Sequence, residues 1–246
     1  MDKNRLAEKI QWLGHDCMRI DADSVIYFDP YEIDPGINAS IILITHDHYD
    51  HCSIEDVKKI LGQDTVIVTE KDSAKKLEKQ LGKAFEGKIE VVAPGQSITV
   101  KGIVIDAVPS YNINKKFHPK NKNWLGFVVS VPSSQLTESG TEQLAKSGTE
   151  QLEDSGTKGD VIKFYHAGDT DLIPEMSQIK CDVAFLPVSG TYVMTAKEAV
   201  LAALEIMPRL AIPMHYGALV GTEEDAQIFQ KALEGKIETL ILRKGS

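Results

Sequence analysis

The chain has 246 residues, of which 42% are hydrophobic and 26% charged, and its formal net charge is −9. These proportions exclude a disordered or fibrous polymer. The acidic balance argues against a nucleic-acid-binding surface spread over the protein. No run approaches the ~18 apolar residues of a membrane span, and the opening MDKNRLAEKI lacks the apolar core of a signal peptide. Three cysteines, Cys17, Cys52 and Cys181, suggest no disulfide framework. The expected setting is therefore cytoplasmic.

In chain order, β-rich runs fall at 25–28, 41–45, 65–69, 88–93, 103–108, 124–131, 161–166, 182–187, 210–214 and 237–242, bounded by Gly, Pro, Asp and Asn. Helical patterns fall between some of them. Residues 53–61 open on an N-cap Ser53 with Asp56 three positions on, and 72–81 follow, rich in Lys, Glu and Leu. Residues 195–207 start with the capping box Thr195/Glu198 and stop at Pro208, and 222–233 form the last helix. Strands dominate early; strand and helix alternate later. That order predicts a sheet-rich sandwich flanked by helices rather than a doubly wound parallel sheet.

Residues 135–158 are three copies of an eight-residue unit, QLTESGTE, QLAKSGTE and QLEDSGTK. Each copy holds one sizeable apolar residue and a Ser-Gly turn signal, too little to bury and order itself. The segment is expected to be a hairpin insertion at the surface rather than a domain. Without it 222 residues remain, suited to one domain over 1–246.

Histidine is scarce, seven in all, yet three lie between His46 and His51 in Thr45-His46-Asp47-His48-Tyr49-Asp50-His51. The run follows a strand and precedes a helix cap, so it is a loop able to point alternate side chains at one place. Imidazole and carboxylate are natural ligands for a borderline divalent ion such as zinc. Four such groups in six residues exceed what one structural zinc takes from one loop, and suggest two neighbouring ions.

His-x-His-x-Asp-His after a strand resembles the signature of the metallo-β-lactamase superfamily, and the resemblance extends along most of the chain. Trp12-Leu13-Gly14-His15 and Phe28-Asp29-Pro30 resemble its N-terminal strands. Tyr165-His166-Ala167-Gly168-Asp169-Thr170 and Ile212-Pro213-Met214-His215-Tyr216-Gly217 resemble its later motifs, and Gly190-Thr191-Tyr192 with the helix after it also matches. The branch is that of small metal-dependent hydrolases, which includes L-ascorbate-6-phosphate lactonase and the phospholipase D acting on N-acyl-phosphatidylethanolamine. The resemblance implies an α+β fold, a four-layer αββα sandwich. It implies that His46 and His48 hold one metal, Asp50 and His51 the second, that Asp169 bridges both, and that His215 completes the second set.

The third histidine of the first set is where the chain departs from the pattern. In Val108-Pro109-Ser110-Tyr111-Asn112, an asparagine stands where histidine is expected. Nearby His118 is the obvious replacement. His15 and His166 are candidates to line the site, and His166 also to ligate. Cys52 reads as a small core residue. Lys115, Lys116, Lys120 and Lys122 gather around His118 and suggest contact with an anionic substrate such as a phosphoryl group; a solvated loop is the alternative. Tyr111, Trp124 and Tyr192 are candidate pocket walls.

The expected activity is hydrolysis of a phosphodiester, lactone or other ester by a hydroxide bridging two divalent ions, zinc first, with Mn2+ or Fe2+ as options. Asp50 would orient the hydroxide or take a proton; His15, His166 and Tyr216 are candidates to protonate the leaving group. The partner is a small-molecule substrate, with no nucleic acid expected and an oligomer left open. Two rivals stand beside this: an iron-dependent oxidoreductase on the same fold, and a non-catalytic metal-binding protein.

Overall fold

In the computed structural model, residues 6–82, 85, 88–136 and 160–245 are described. Thirteen strands and four helices are named among them. Six strands form one sheet in spatial order β1 (Ile10–Gly14), β2 (Cys17–Ile20), β3 (Ile26–Phe28), β4 (Ala39–Ile44), β5 (Leu61–Thr69) and β6 (Ile89–Val91). The first three are antiparallel neighbours; from β3 onward the neighbours are parallel. Seven strands form the other, β7 (Ser97–Val100), β8 (Ile103–Pro109), β9 (Leu125–Pro132), β10 (Val161–His166), β11 (Val183–Pro187), β12 (Leu210–Met214) and β13 (Glu238–Thr239). Here β7 to β10 are antiparallel and β10 to β13 parallel.

Side-chain alternation builds the layers. Along β4, Ile41 and Leu43 point into the core shared with the second sheet, while Ile42 and Ile44 join a second core on the outer face. That outer core is closed by Val57 and Ile60 of α1 (Ile54–Ile60) and Leu77 of α2 (Lys71–Leu81). Cys17 and Cys52 lie in it, and burial pushes the Cys52 thiol up to about 11. On the far side, α3 (Ala196–Ile206) and α4 (Glu223–Leu233) pack Ala199, Ala203, Ile206 and Phe229 onto the second sheet. The result is the expected αββα sandwich.

The local signals act as read. Ser53 caps α1, and Thr195 with Glu198 forms the capping box of α3, which ends at a left-handed Met207 before Pro208. Several strands differ: β5 starts at Leu61 instead of 65, β6 covers only Ile89–Val91, and β7 had no expected run. The last predicted strand shortens to two residues, β13, and β1–β2 form a hairpin that the alternation alone did not single out. The repeat segment joins β9 to β10, whose register Pro132↔Val161 is continued by Ser133 N–H donating to Asp160 O at 2.8 Å. Repeat residues 137–158 lie outside the described residues. No helix among the described residues is long and apolar enough to cross a membrane.

Candidate metal centre

The parallel strands all deliver their C-terminal ends to one edge of the sandwich, the usual place for a site on such sheets. β3 ends at Phe28, and the next residue, Asp29, accepts from Thr45 N at 2.8 Å and from Thr45 Oγ1 at 2.6 Å just past β4. The chain then turns back on itself, with Cys52 N–H on His48 O at 2.8 Å, and hands over to the Ser53 cap. That turn gathers His46, His48, Asp50 and His51. β10 supplies Asp169 through Gly168, whose φ is +62° and whose Cβ position would lie 2.7 Å from Leu125 O, so only glycine fits. β12 supplies His215, whose N–H donates to His15 O at 3.1 Å in the β1–β2 turn. His15, Asp29 and His215 all take left-handed backbone, at φ 51°, 40° and 60°. Strain of this kind concentrates at functional sites.

Two ligand sets emerge. His46, His48 and His118 form one, and Asp16, His51, Asp169 and His215 the other, with His15 beside His51 and His215. Asp169 lies between the two sets: its Oδ2 is 3.1 Å from His118 Nε2 and 3.3 Å from His215 Nε2, and its Oδ1 is 3.4 Å from His51 Nε2. His51 Nε2, His118 Nε2 and Asp169 Oδ1 are buried with no hydrogen-bond partner. Leaving such atoms unpaired costs about 1–3 kcal/mol each, so nitrogen and oxygen lone pairs converging on one buried place suit divalent cations. His51, Asp169 and His215 are the donors of one such group, and the three histidines at 46, 48 and 118 those of the other.

The ring orientations are set from behind, as ligating histidines require. His51 Nδ1 donates to Asp29 Oδ2 at 2.8 Å, and His46 Nδ1 to Thr45 Oγ1 at 2.9 Å. His215 Nδ1 donates to Ser189 Oγ at 2.9 Å. His46 Nε2 and His48 Nδ1, 3.0 Å apart, then face the same place. Trp124 floors this set, its ring 4.7 Å from His46 and from His48 and 5.3 Å from His118.

Electrostatics separates the two sets. Burial holds His46 well below the usual histidine range and also lowers His48. Burial works the same way on His51 and His215, but Asp169, with Asp29 for His51 and Asp16 for His215, outweighs it; His51 is raised well above its ordinary value and His215 to about 9. Burial also raises Asp50, yet the His15 hydrogen bond at 3.2 Å and the nearby His51 win and hold it at about 2.

The sequence expectations meet this geometry unevenly. His46, His48, Asp50, His51, His118, Asp169 and His215 come together. His15 joins them, its ring 4.3 Å from that of His215. Asn112 faces the ring of His118 instead of the ligand cluster. His166 is the correction: Nε2 donates to Asp16 O at 2.9 Å, Nδ1 accepts from Gly168 N at 3.3 Å, and the ring stacks on Phe28. Both nitrogens are committed to backbone, which leaves none for a metal, a substrate or a leaving group. The lysine cluster is a second correction. Lys115 pairs with Asp171, Lys120 with Glu175 at 2.9 Å, and Lys122 with Asp72 at 3.5 Å, so three of the four are neutralised by acids remote in sequence. Tyr111 also turns to Glu175, at 2.8 Å. Asp16, not singled out beforehand, is fully buried with both oxygens unpartnered, and burial raises its carboxyl well above the usual range. Its only signal was its place directly after Gly14-His15.

The profile of the family described as "Beta-lactamase superfamily domain" matches residues 9–137 and 135–215. The chain belongs to the metallo-β-lactamase superfamily. A UPF0173 metal-dependent hydrolase of Methanopyrus kandleri is 30% identical over 258 residues, covering 96% of this chain and 97% of that protein. Another, of Methanosphaerula palustris, is 29% identical over 232 residues, covering 92% and 91%. A crystal structure from Parabacteroides distasonis, described provisionally as a metal-dependent hydrolase, superposes with a TM-score of 0.72 at 30% identity, covering 96% of this chain and 92% of that one. Membership of the superfamily accounts for the strand order and for the edge at which the histidines meet.

Proposed function

We propose that this chain hydrolyses a small ester or lactone using water activated between two divalent metal ions. The class, metal-dependent hydrolase, is that of its relatives. The observation that carries the dinuclear reading is Asp169, a carboxylate within 3.1–3.4 Å of histidines from both sets. His46, His48 and His118 would hold one ion and His51 and His215 the other, with Asp169 shared and Asp50, 3.8 Å from His51 Nε2, beside the second set. Zinc suits these donors, and Mn2+ or Fe2+ are compatible. When bound, such a pair supplies an ionised water at neutral pH and positive charge for a developing oxyanion.

The chain's own groups then have distinct duties. Asp50 is ionised at neutral pH and accepts the Nε2–H of His15, which fixes its orientation. Burial lowers His15, so its ring is neutral and holds Asp50 instead of delivering a proton itself. Tyr216 stacks on Trp12 at 4.8 Å, its hydroxyl is buried without a partner, and burial pushes it up to about 12, so it keeps its proton. His15 and Tyr216 line one cavity of about 850 Å³. Tyr216 keeps its proton and stands as the remaining sequence candidate for leaving-group protonation.

Two aromatic pairs flank the ligands. Tyr31 and Tyr49 meet edge to face at 5.8 Å beside Asp50, and Phe117 and Tyr192 at 4.6 Å beside His118. Tyr49, Phe117 and Tyr192 are exposed. With three of the four lysines paired, these rings favour an uncharged ester or lactone with an apolar part over a phosphodiester. The test is a panel of esters, lactones and phosphodiesters on protein of measured metal content. Turnover of apolar esters or lactones at two metal equivalents is expected. Turnover of phosphodiesters alone would overturn the substrate class, and no turnover by fully loaded protein would overturn the enzymatic reading.

A further inference from the structure

We infer that Asn112 is a positioning residue for His118, fixing which nitrogen of that ring faces the first metal set. The inference rests on the dinuclear reading above for the meaning of that set, but not for its geometry.

The Asn112 amide is saturated. Its Nδ2 donates to Asp171 Oδ1 at 3.2 Å and to Tyr192 O at 2.7 Å; its Oδ1 accepts from His118 N at 3.0 Å and lies 3.1 Å from His118 Nδ1. A primary amide has two N–H donors and two acceptor lone pairs, and all four are used. The reverse orientation would set its oxygen against a carboxylate and a carbonyl, and its nitrogen against a backbone N–H, so the chemistry admits one orientation.

The consequence falls on the histidine. His118 Nδ1 faces two acceptors, Asn112 Oδ1 and, at 3.3 Å, Tyr192 O. A proton must sit on Nδ1, so Nε2 is the nitrogen turned toward the ligand set. Nε2 is the buried, unpartnered atom beside Asp169 and the ligand atoms of His46 and His48. Asn112 N–H also donates to His118 O at 2.7 Å, so the loop from 112 to 118 is closed by main chain and side chain together.

Asp171 holds the arrangement from behind. Its carboxylate accepts from Ile113 N at 2.9 Å and Asn114 N at 3.4 Å and pairs with Lys115. Asp171 lies two residues after Asp169, so the chain segment that presents the shared carboxylate also anchors the loop that presents His118. The asparagine at the position where a ligand histidine was expected thus holds the substitute ligand in place.

The experiment combines imidazole nitrogen NMR on metal-free protein with zinc affinity measured by chelator competition, for wild type, Asn112→Leu and Asp171→Asn. In wild type His118 Nδ1 should carry a proton, with or without a second one on Nε2 toward Asp169. Asn112→Leu should lose that preference and weaken first-set zinc by about 10–100-fold, the usual cost of removing the partner behind a ligand, with second-set affinity unchanged. Asp171→Asn should weaken the first set less. An Nε2–H tautomer in wild type would overturn the inference, whether or not the leucine variant folds. So would first-set affinity within about twofold of wild type in a folded Asn112→Leu. Absence of hydrolase activity alongside the expected tautomer and affinities would count against the proposed function and leave the role of Asn112 standing.

Discussion

The carboxylate of Asp29 accepts a hydrogen bond from His51 Nδ1 at 2.8 Å, and this contact aims the other ring nitrogen at Asp169. The same carboxylate holds Thr45 by backbone and hydroxyl, and so fixes both the start of the histidine loop and its last member. Replacing Asp29 by Ala strands three buried donors. The expected loss is about 2–5 kcal/mol of stability and about 10–100-fold in second-set metal affinity. Denaturant melts and metal competition on the variant measure both.

The two sets should differ in how metal binding couples to protons. His46 and His48 are neutral at pH 7 because burial disfavours their charge, whereas His51 and His215 are held protonated by neighbouring carboxylates in the metal-free protein. Filling the second set must displace about two protons, and His46 and His48 contribute none to the first. Titration calorimetry in buffers of different ionisation heat should show this split.

The same shifts set the pH dependence of the metal-free fold. His215 is raised from 6.5 to about 9, so its contribution to stability is complete below pH 6.5 and fades as pH rises through about 9. Metal-free protein should therefore be easier to unfold at pH 9 than at pH 6.5. Urea midpoints at the two pH values check the sign.

His166 is expected to serve the fold alone. Its Ala variant removes the Phe28 stack and leaves Asp16 O and Gly168 N without their partner, costing about 2–4 kcal/mol. Metal content should remain at the wild-type level once the variant is folded, and elemental analysis of that variant tells a structural role from a ligand role.

How far residues announce their roles depends on how local the determining contacts are. The histidine loop was legible because its ligands lie within one turn, and the capping boxes because N-cap and N3 sit three residues apart. His118 was legible as a replacement, but the reason Asn112 precedes it was not, since that rests on Asp171 and Tyr192, 59 and 80 positions away. The lysines misled for the same reason: Asp171, Glu175 and Asp72 reach them only through the fold. β1 was carried by resemblance more than by alternation and β2 was not read at all, because each is short and the turn between them is built on Gly14 and His15.

The hairpin joining β9 and β10 should tolerate loss of the repeats. Ser133 and Asp160 already close it, and closure entropy changes only slowly with the length of a connection. A chain lacking residues 137–158 should match the full chain in melting temperature to within a few degrees and in hydrolytic rate to within about twofold.

Asp169 faces histidines of both sets, so the proposed two-metal centre would fail without it. Elemental analysis of wild type and Asp169→Ala, each folded and saturated with zinc, together with turnover of a substrate that wild type hydrolyses, tests it most directly. Two equivalents and activity are expected in wild type, against a fall toward one equivalent and loss of turnover in the variant. An Asp169→Ala protein that keeps two equivalents and full activity would contradict it.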